Sequence, residues 1–175
     1  LYFSASDGSS GHELWAHDTS NSSTWQVADI YSGASSGNPG EHMEILVGDT
    51  IYFDATDVST GTELWAHDTS NHSTWMVADI RNHATSVSST PGSYMEILVG
   101  DTIYFDAIDG YVGFELWAHN TSNHSTWLVA DITSGGHSYP GNHMEILVGD
   151  TIYFDAPSST YSNGWVRELS AHDTS

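Results

Sequence analysis

The chain has 175 residues, with 23 Asp and Glu against two Arg and no Lys, a formal net charge of -21. That charge repels nucleic acid and anionic membrane surfaces, so DNA and RNA binding are excluded and the partners it allows are cations, basic surfaces or neutral sugars. The acids are spread singly among seven Trp and nine Tyr, which argues for a folded chain; there is no Cys for a disulfide or thiolate metal site, and no apolar run is long enough for membrane insertion.

From the N-terminus, LYFSA (Leu1 to Ala5), ELWAHD (Glu13 to Asp18) and a strand ending in VADI at Ile30 read as β-strands by period-two alternation and by their β-branched and aromatic content. MEILV (Met43 to Val47) and TIYFDA (Thr50 to Ala55) follow, joined by Gly48 and Asp49. Two residues of that type signal a hairpin, because glycine accepts the positive φ such turns require. ELWAHD (Glu63 to Asp68) and TWMVADI (Thr74 to Ile80) complete a four-stranded antiparallel meander. The VGDT junction returns at Val99 to Thr102 and Val148 to Thr151, and IYFDAIDGYVGFELWAHNTSNHSTWLVADI (Ile103 to Ile132) repeats Ile51 to Ile80 almost residue for residue. No segment has helical periodicity.

Repetition at about fifty residues is the signature of a propeller, solenoid or array. The units are 1–42, 43–94, 95–143 and 144–175, the first without its MEILV strand and the last without its TWxVADI strand, so the expected strand count is three, four, four, three. In IYFDA, Ile51 and Phe53 oppose Tyr52, and in TWMVADI, Trp75 and Val77 oppose Met76 and Ala78. Sheets apolar on both faces need neighbours on both sides, which radially stacked blades supply. The expected fold is therefore all-β, a β-propeller-like array of four-stranded antiparallel blades with incomplete first and last blades; a linear β-solenoid-like array is the alternative.

LYFSASDG and DGSSGHELWAHDTS resemble the ELWxxDGT repeat family. Leu1 to Ile30 carry LYFSA, then Asp7 and Gly8, Gly11, then Glu13, Leu14 and Trp15, then Asp18, and VADI in place of VxDI. The resemblance covers essentially the whole chain and implies large bacterial or archaeal surface or secreted proteins built from propeller-like arrays, with no enzyme among its implications. Where the family has DGTxxGT, this chain has DTSNSST (Asp18 to Thr24), DTSNHST (Asp68 to Thr74) and NTSNHST (Asn120 to Thr126). The replacement creates N-x-[ST] sequons at Asn21, Asn71 and Asn123, and a further one at Asn120, which mark candidate glycan positions on an exposed turn. The same residues are ordinary turn formers, and copying a repeat copies its accidental sequon.

Eleven His include one repeat position, His17, His67, His119 and His172. Equivalent positions on successive sheets lie too far apart to share one ion, so the plain reading is polar edge residues packing beside Trp. Asp7, Asp57 and Asp109 in the first loop, with Asp29, Asp79 and Asp131 after each VADI, are candidate ligands for one Ca²⁺ per unit, since that ion takes six to eight hard oxygens. The plainer role for these aspartates is turn capping. Glu44, Glu96 and Glu145 follow Met in the strand expected to be innermost, where they would ring an acidic channel or, equally, face solvent or pair locally.

No nucleophile motif, carboxylate dyad or phosphate loop stands out, and the copy-specific Arg81, Tyr111, Phe114 and Arg167 form no recognisable constellation, so the chain is not read as an enzyme. The expected function is that of an extracellular or cell-surface structural repeat protein. It would form or decorate a filament or matrix, carry covalent glycans and join to itself end to end through its incomplete terminal sheets. The alternative is a carbohydrate-binding or calcium-dependent adhesion propeller.

Overall fold

The computed structural model describes residues 1–82, 87–161 and 164–175, the side chains of 158–166 excepted. The fold is all-β, and no helix occurs among the described residues. β1 (Tyr2–Ala5), β2 (Glu13–Asp18) and β3 (Ser23–Ala28) form a three-stranded sheet. β4 (Glu44–Val47), β5 (Thr50–Asp57), β6 (Gly61–Asp68) and β7 (Ser73–Ala78) form a four-stranded one. β8 (Glu96–Val99), β9 (Thr102–Ile108), β10 (Phe114–Asn120) and β11 (Ser125–Ala130) repeat that sheet, and β12 (Glu145–Val148), β13 (Thr151–Tyr161) and β14 (Gly164–Asp173) make the last, of three strands. Every neighbouring pair is antiparallel, each sheet is a meander in chain order, and the strand count is the expected one.

Strict alternation fails at one repeated place. Leu14 faces Ala28 while Trp15 faces Gln26, and the same slip occurs at Leu64/Trp65 and Leu116/Trp117, so Val27, Val77 and Val129 are extra residues in β-bulges. The bulge adds local twist and interrupts the two-faced pattern read from the sequence for TWMVADI. Upstream of it, Trp25, Trp75 and Trp127 are among the exposed hydrophobic residues rather than core. The turns that precede these strands place Ser22, His72 and His124 in the left-handed region at φ 59°, 62° and 60°.

The chain divides into two compact units, Leu1–Thr90 and Pro91–Ser175, each of two sheets. In the first, Leu14 packs with Phe53 and Ala55, surrounded by Tyr2, Val27, Ile30, Ile51 and Trp65. In the second, Met95, Tyr104, Leu116 and Ala118 meet Ile152, Phe154 and Ala156. The two sheets of each unit thus stack through their aliphatic faces. Ring contacts join them as well: Tyr2 lies 5.1 Å from His67, and Tyr104 5.3 Å from His172.

The returning loop after β3, β7 and β11 approaches the backbone closely. A Cβ on Gly11 would stand 2.1 Å from the Ser35 carbonyl oxygen, and one on Gly113 2.3 Å from that of Gly136. Both glycines also have positive φ, so neither admits a side chain. Beneath these loops Leu14, Leu64 and Leu116 are at most 5% exposed, whereas the equivalent Leu169 is 65% exposed. Leu116→Ala should therefore cost about 2–5 kcal/mol in urea unfolding, while Leu169→Ala should stay within about 0.5 kcal/mol of the parent chain.

Candidate functional site

Sequence reasoning passed over the carboxylates that the structure buries most deeply. Glu13, Glu63 and Glu115, the first residue of each ELW, are fully buried. Glu63 Oε2 accepts the Ile80 N–H at 2.8 Å and the Ser89 hydroxyl at 2.6 Å, and Oε1 accepts the Ser89 N–H at 3.1 Å. Glu115 repeats the pattern with Ile132 at 2.8 Å and Ser138. Glu13 takes the N–H groups of Ile30 at 2.7 Å and Gly37 at 2.8 Å. Each carboxylate ties the end of the fourth strand position and the returning loop to the strand before it. Burial pushes Glu63 and Glu115 up to about 7 against the pull of these donors, and the charges of Asp79 and Asp131 add to the rise. Asp29 acts likewise on Glu13. A signal for these residues was present: a charged residue opening an otherwise apolar strand, three times over.

A second anchoring carboxylate recurs in TIYFDA, buried at Asp54 and Asp106 and partly exposed at Asp155. Asp54 Oδ1 accepts the His42 and Met43 N–H groups, and Oδ2 meets His42 Nδ1 at 2.8 Å. Asp155 does the same with His143 and Met144, and Arg167 Nε also donates to it. Asp106 accepts the N–H groups of Tyr94 and Met95 at 2.8 and 3.0 Å, but Tyr94 stands where the other copies have His. Its Oδ2 is buried with no hydrogen-bond partner among the described residues, and burial pushes its pKa up to about 7. An orphaned buried acceptor of this kind costs about 1–3 kcal/mol.

The expected calcium ligands are put to other uses. Asp7 Oδ1 accepts the Ser9 and Ser10 N–H groups, Asp57 Oδ1 those of Ser59 and Thr60, and Asp109 Oδ1 those of Tyr111 and Val112. Asp29, Asp79 and Asp131 sit beside the buried glutamates, as their effect on those residues shows. Among the described residues, no group of three or more His, Asp or Glu converges as a metal-binding cluster. In the second unit the Glu145 carboxylate accepts the Glu96 backbone N–H; Glu44 lies exposed on β4.

The repeated histidines are not polar edge residues beside Trp. Nδ1 of His17, His67 and His119 shares a hydrogen with the hydroxyl of Thr24, Thr74 and Thr126 at 2.8–2.9 Å, and His67 and His119 are fully buried. Burial therefore holds His67 below its usual pKa and brings His119 down to about 4.

Each sequon asparagine forms the turn it occupies. Asn21, Asn71 and Asn123 are exposed, and their Oδ1 atoms accept the N–H of Ser23, Ser73 and Ser125 at 2.9–3.0 Å. Nδ2 of Asn21 and of Asn71 donates to Asp18 and Asp68 at 2.9 and 2.8 Å. Asn120 takes the place of those aspartates: Oδ1 caps Ser122 and Asn123, and Nδ2 donates to Thr102 Oγ1 at 3.2 Å.

Two of the copy-specific residues converge on Tyr139. Phe114 stacks on Tyr139 at 5.3 Å and 27°, and Arg167 Nη2 donates to the Tyr139 carbonyl at 2.6 Å. Tyr94 lies edge-on to both rings, 5.5 Å from Phe114 and 5.1 Å from Tyr139, and His137 stacks on Tyr139 at 5.1 Å and 14°. Spacing alone could not reveal this cluster, because its members come from three separate loops and strand ends. Comparison with known protein families and with curated proteins finds no match to the chain, so function is argued from this geometry.

Glu63→Ala should destabilise the chain by about 3 kcal/mol in denaturant unfolding, since two buried N–H groups lose their acceptor, whereas Glu168→Ala, at the exposed equivalent, should be near neutral. Stability should also depend on pH in two opposed windows. Glu63, Glu115 and Asp106 hold their protons more tightly folded than unfolded, so their contribution is complete below about pH 4 and is lost as pH rises through about 7. His67, His119 and His172 are held neutral, so theirs is complete above about pH 6.5 and is lost toward about pH 4. The two sets act with opposite sign over the same interval and offset one another there, so the readout is the variant: Glu115→Gln should raise Tm at pH 7 relative to pH 5 when compared with the parent chain.

Proposed function

We propose that the chain is an extracellular structural repeat protein whose sheets continue the stacking of a propeller-like array, and that it assembles end to end with further copies into a surface filament or matrix. The observation that carries this reading is the set of exposed aliphatic side chains on edge strands. β4 presents Leu46 at 63% exposure, β12 presents Ile146 and Val148 at 52% and 57%, and β14 presents Leu169 at 65%, and each of these strands has one hydrogen-bonded neighbour among the described residues. An open edge with exposed aliphatic side chains is a template for another strand, and proteins ordinarily blunt it with charge, proline or a cover. The internal regularity also favours architecture over catalysis: the buried glutamates, the buried histidines and the turn aspartates recur in successive copies in one hydrogen-bonding role each. The three equivalent sequon turns are exposed and lie at the ends of edge strands, where N-linked sugars would stand clear of the sheets.

A net charge of -21 opposes association at low ionic strength and is screened within about 10 Å at 0.1 M salt. Sedimentation velocity should accordingly show concentration-dependent assembly that grows with added NaCl, with filaments visible by electron microscopy. Leu169→Lys, which places a charge on the β14 edge, should remain monomeric with an unchanged Tm. A parent chain that stays monomeric at millimolar concentration and 0.5 M salt would exclude the reading. Intact mass of the protein from its natural source should show additions at Asn21, Asn71 and Asn123 that disappear with Gln at those positions.

A further inference from the structure

Four positions of the repeat depart together in the second unit. Where the earlier copies have His12 and Thr62, the third has Phe114; where they have Ser36 and Ser88, it has His137; where they have Asn38 and Thr90, it has Tyr139. The fourth position holds Tyr94, between His42 and His143 of the neighbouring copies. These equivalences follow from shared backbone contacts: Asn38, Thr90 and Tyr139 donate to His12, Thr62 and Phe114, and all three adopt φ of 44–45°. Two positions that hold no ring in the other copies have thus gained one, beside two where an aromatic ring replaces His or Thr, and the ring centroids lie 5.1–5.6 Å apart.

The replacement works against stability at two points. Tyr94 cannot supply the imidazole nitrogen that satisfies Asp54 and Asp155 elsewhere, and Asp106 Oδ2 is left buried without a partner among the described residues. Tyr139 is a bulky aromatic residue in the left-handed region, at a place where Asn38 sits with little penalty. Thr90 shares the left-handed φ, so what sets this copy apart is the orphaned Asp106 Oδ2, satisfied at Asp54 and Asp155, next to a ring cluster open to solvent, and that coincidence marks a place kept for binding. The cluster remains open to solvent: Tyr94 is 37% exposed, and Phe114, His137 and Tyr139 are half-buried.

We propose that Tyr94, Phe114, His137 and Tyr139 form a binding site for a neutral pyranose sugar. The rings offer faces for the C–H side of a sugar, the two phenol hydroxyls and the imidazole offer polar partners for its hydroxyl rim, and the strongly negative chain disfavours acidic ligands. Arg167, held on the Tyr139 carbonyl and on Asp155, places a positive charge beside the cluster, which favours a neutral ligand over a cation at these ring faces. The site does not depend on end-to-end assembly.

The test uses the whole chain on an array of neutral hexopyranose oligosaccharides, followed by calorimetric titration of whatever is retained, with choline as a cationic probe. The comparison variant is Tyr94→His with Tyr139→Asn, which restores the residues of the other copies. The expected result is saturable binding of a neutral oligosaccharide by the parent chain and at least a tenfold weaker Kd in the variant, whose Tm is equal or higher because the strain and the orphaned carboxylate are relieved. Retention of no neutral sugar, binding of choline alone, sugar binding undiminished in the variant, or a variant Tm below that of the parent would each overturn the proposal, the last by showing that the rings serve the fold.

Discussion

The buried glutamate of each ELW segment is the constraint on which the rest of the fold depends. A meander of short strands has no intrinsic reason to send its loop back across its own face, since the loop carries backbone N–H groups that must find acceptors once buried. Glu13, Glu63 and Glu115 provide two carboxylate oxygens at the right depth, and the loop closes over them. That closure buries the adjacent leucine, brings the loop within van der Waals distance of a glycine, and fixes the start of the next meander, where Asp54, Asp106 and Asp155 perform the same service for the following turn. Two alternating carboxylate anchors therefore pin the loop that follows a meander and the turn that opens one to their own sheets through hydrogen bonds, and within each unit the aliphatic faces pack around them.

This arrangement explains why so acidic a chain folds. Many of its carboxylates are not a surface field. Some accept backbone hydrogen bonds in the interior, where burial raises their pKa and reduces their share of the charge, and others cap exposed turns, where the same kind of bond lowers it. The sign of each shift follows from depth: desolvation outweighs the donors inside, and the donors prevail at the surface.

The strands, their antiparallel order and the three, four, four, three count were legible in the sequence, because alternation, hairpin residues and repetition are local properties that backbone geometry reads directly. The turn role of Asp7, Asp57 and Asp109 was legible for the same reason, since an Asp followed by small polar residues bonds to its own backbone. The bulge at Val27, Val77 and Val129 was not, as one extra residue leaves composition and approximate period unchanged. Nor was the burial of His67 and His119. A histidine in a strand carries no mark of whether a neighbouring sheet will cover it, and here the partner of His67, Tyr2, comes from more than sixty positions away in the chain.

Sequence by itself determined the repeating unit, its strands, its charge and the exposed sequon turns, all set by interactions within a few residues. Only the tertiary structure decided which acids are structural, which histidines are buried and which copy-specific residues meet. The physical reason is that burial and contact depend on the stacking of sheets and the return of loops. Glu63 and Glu168 occupy the same place in the repeat, yet one is sealed beneath a loop and the other lies open to water. Phe114 and Tyr139 differ from their counterparts singly along the chain, and only folding assembles them with Tyr94 and His137 into one aromatic cluster.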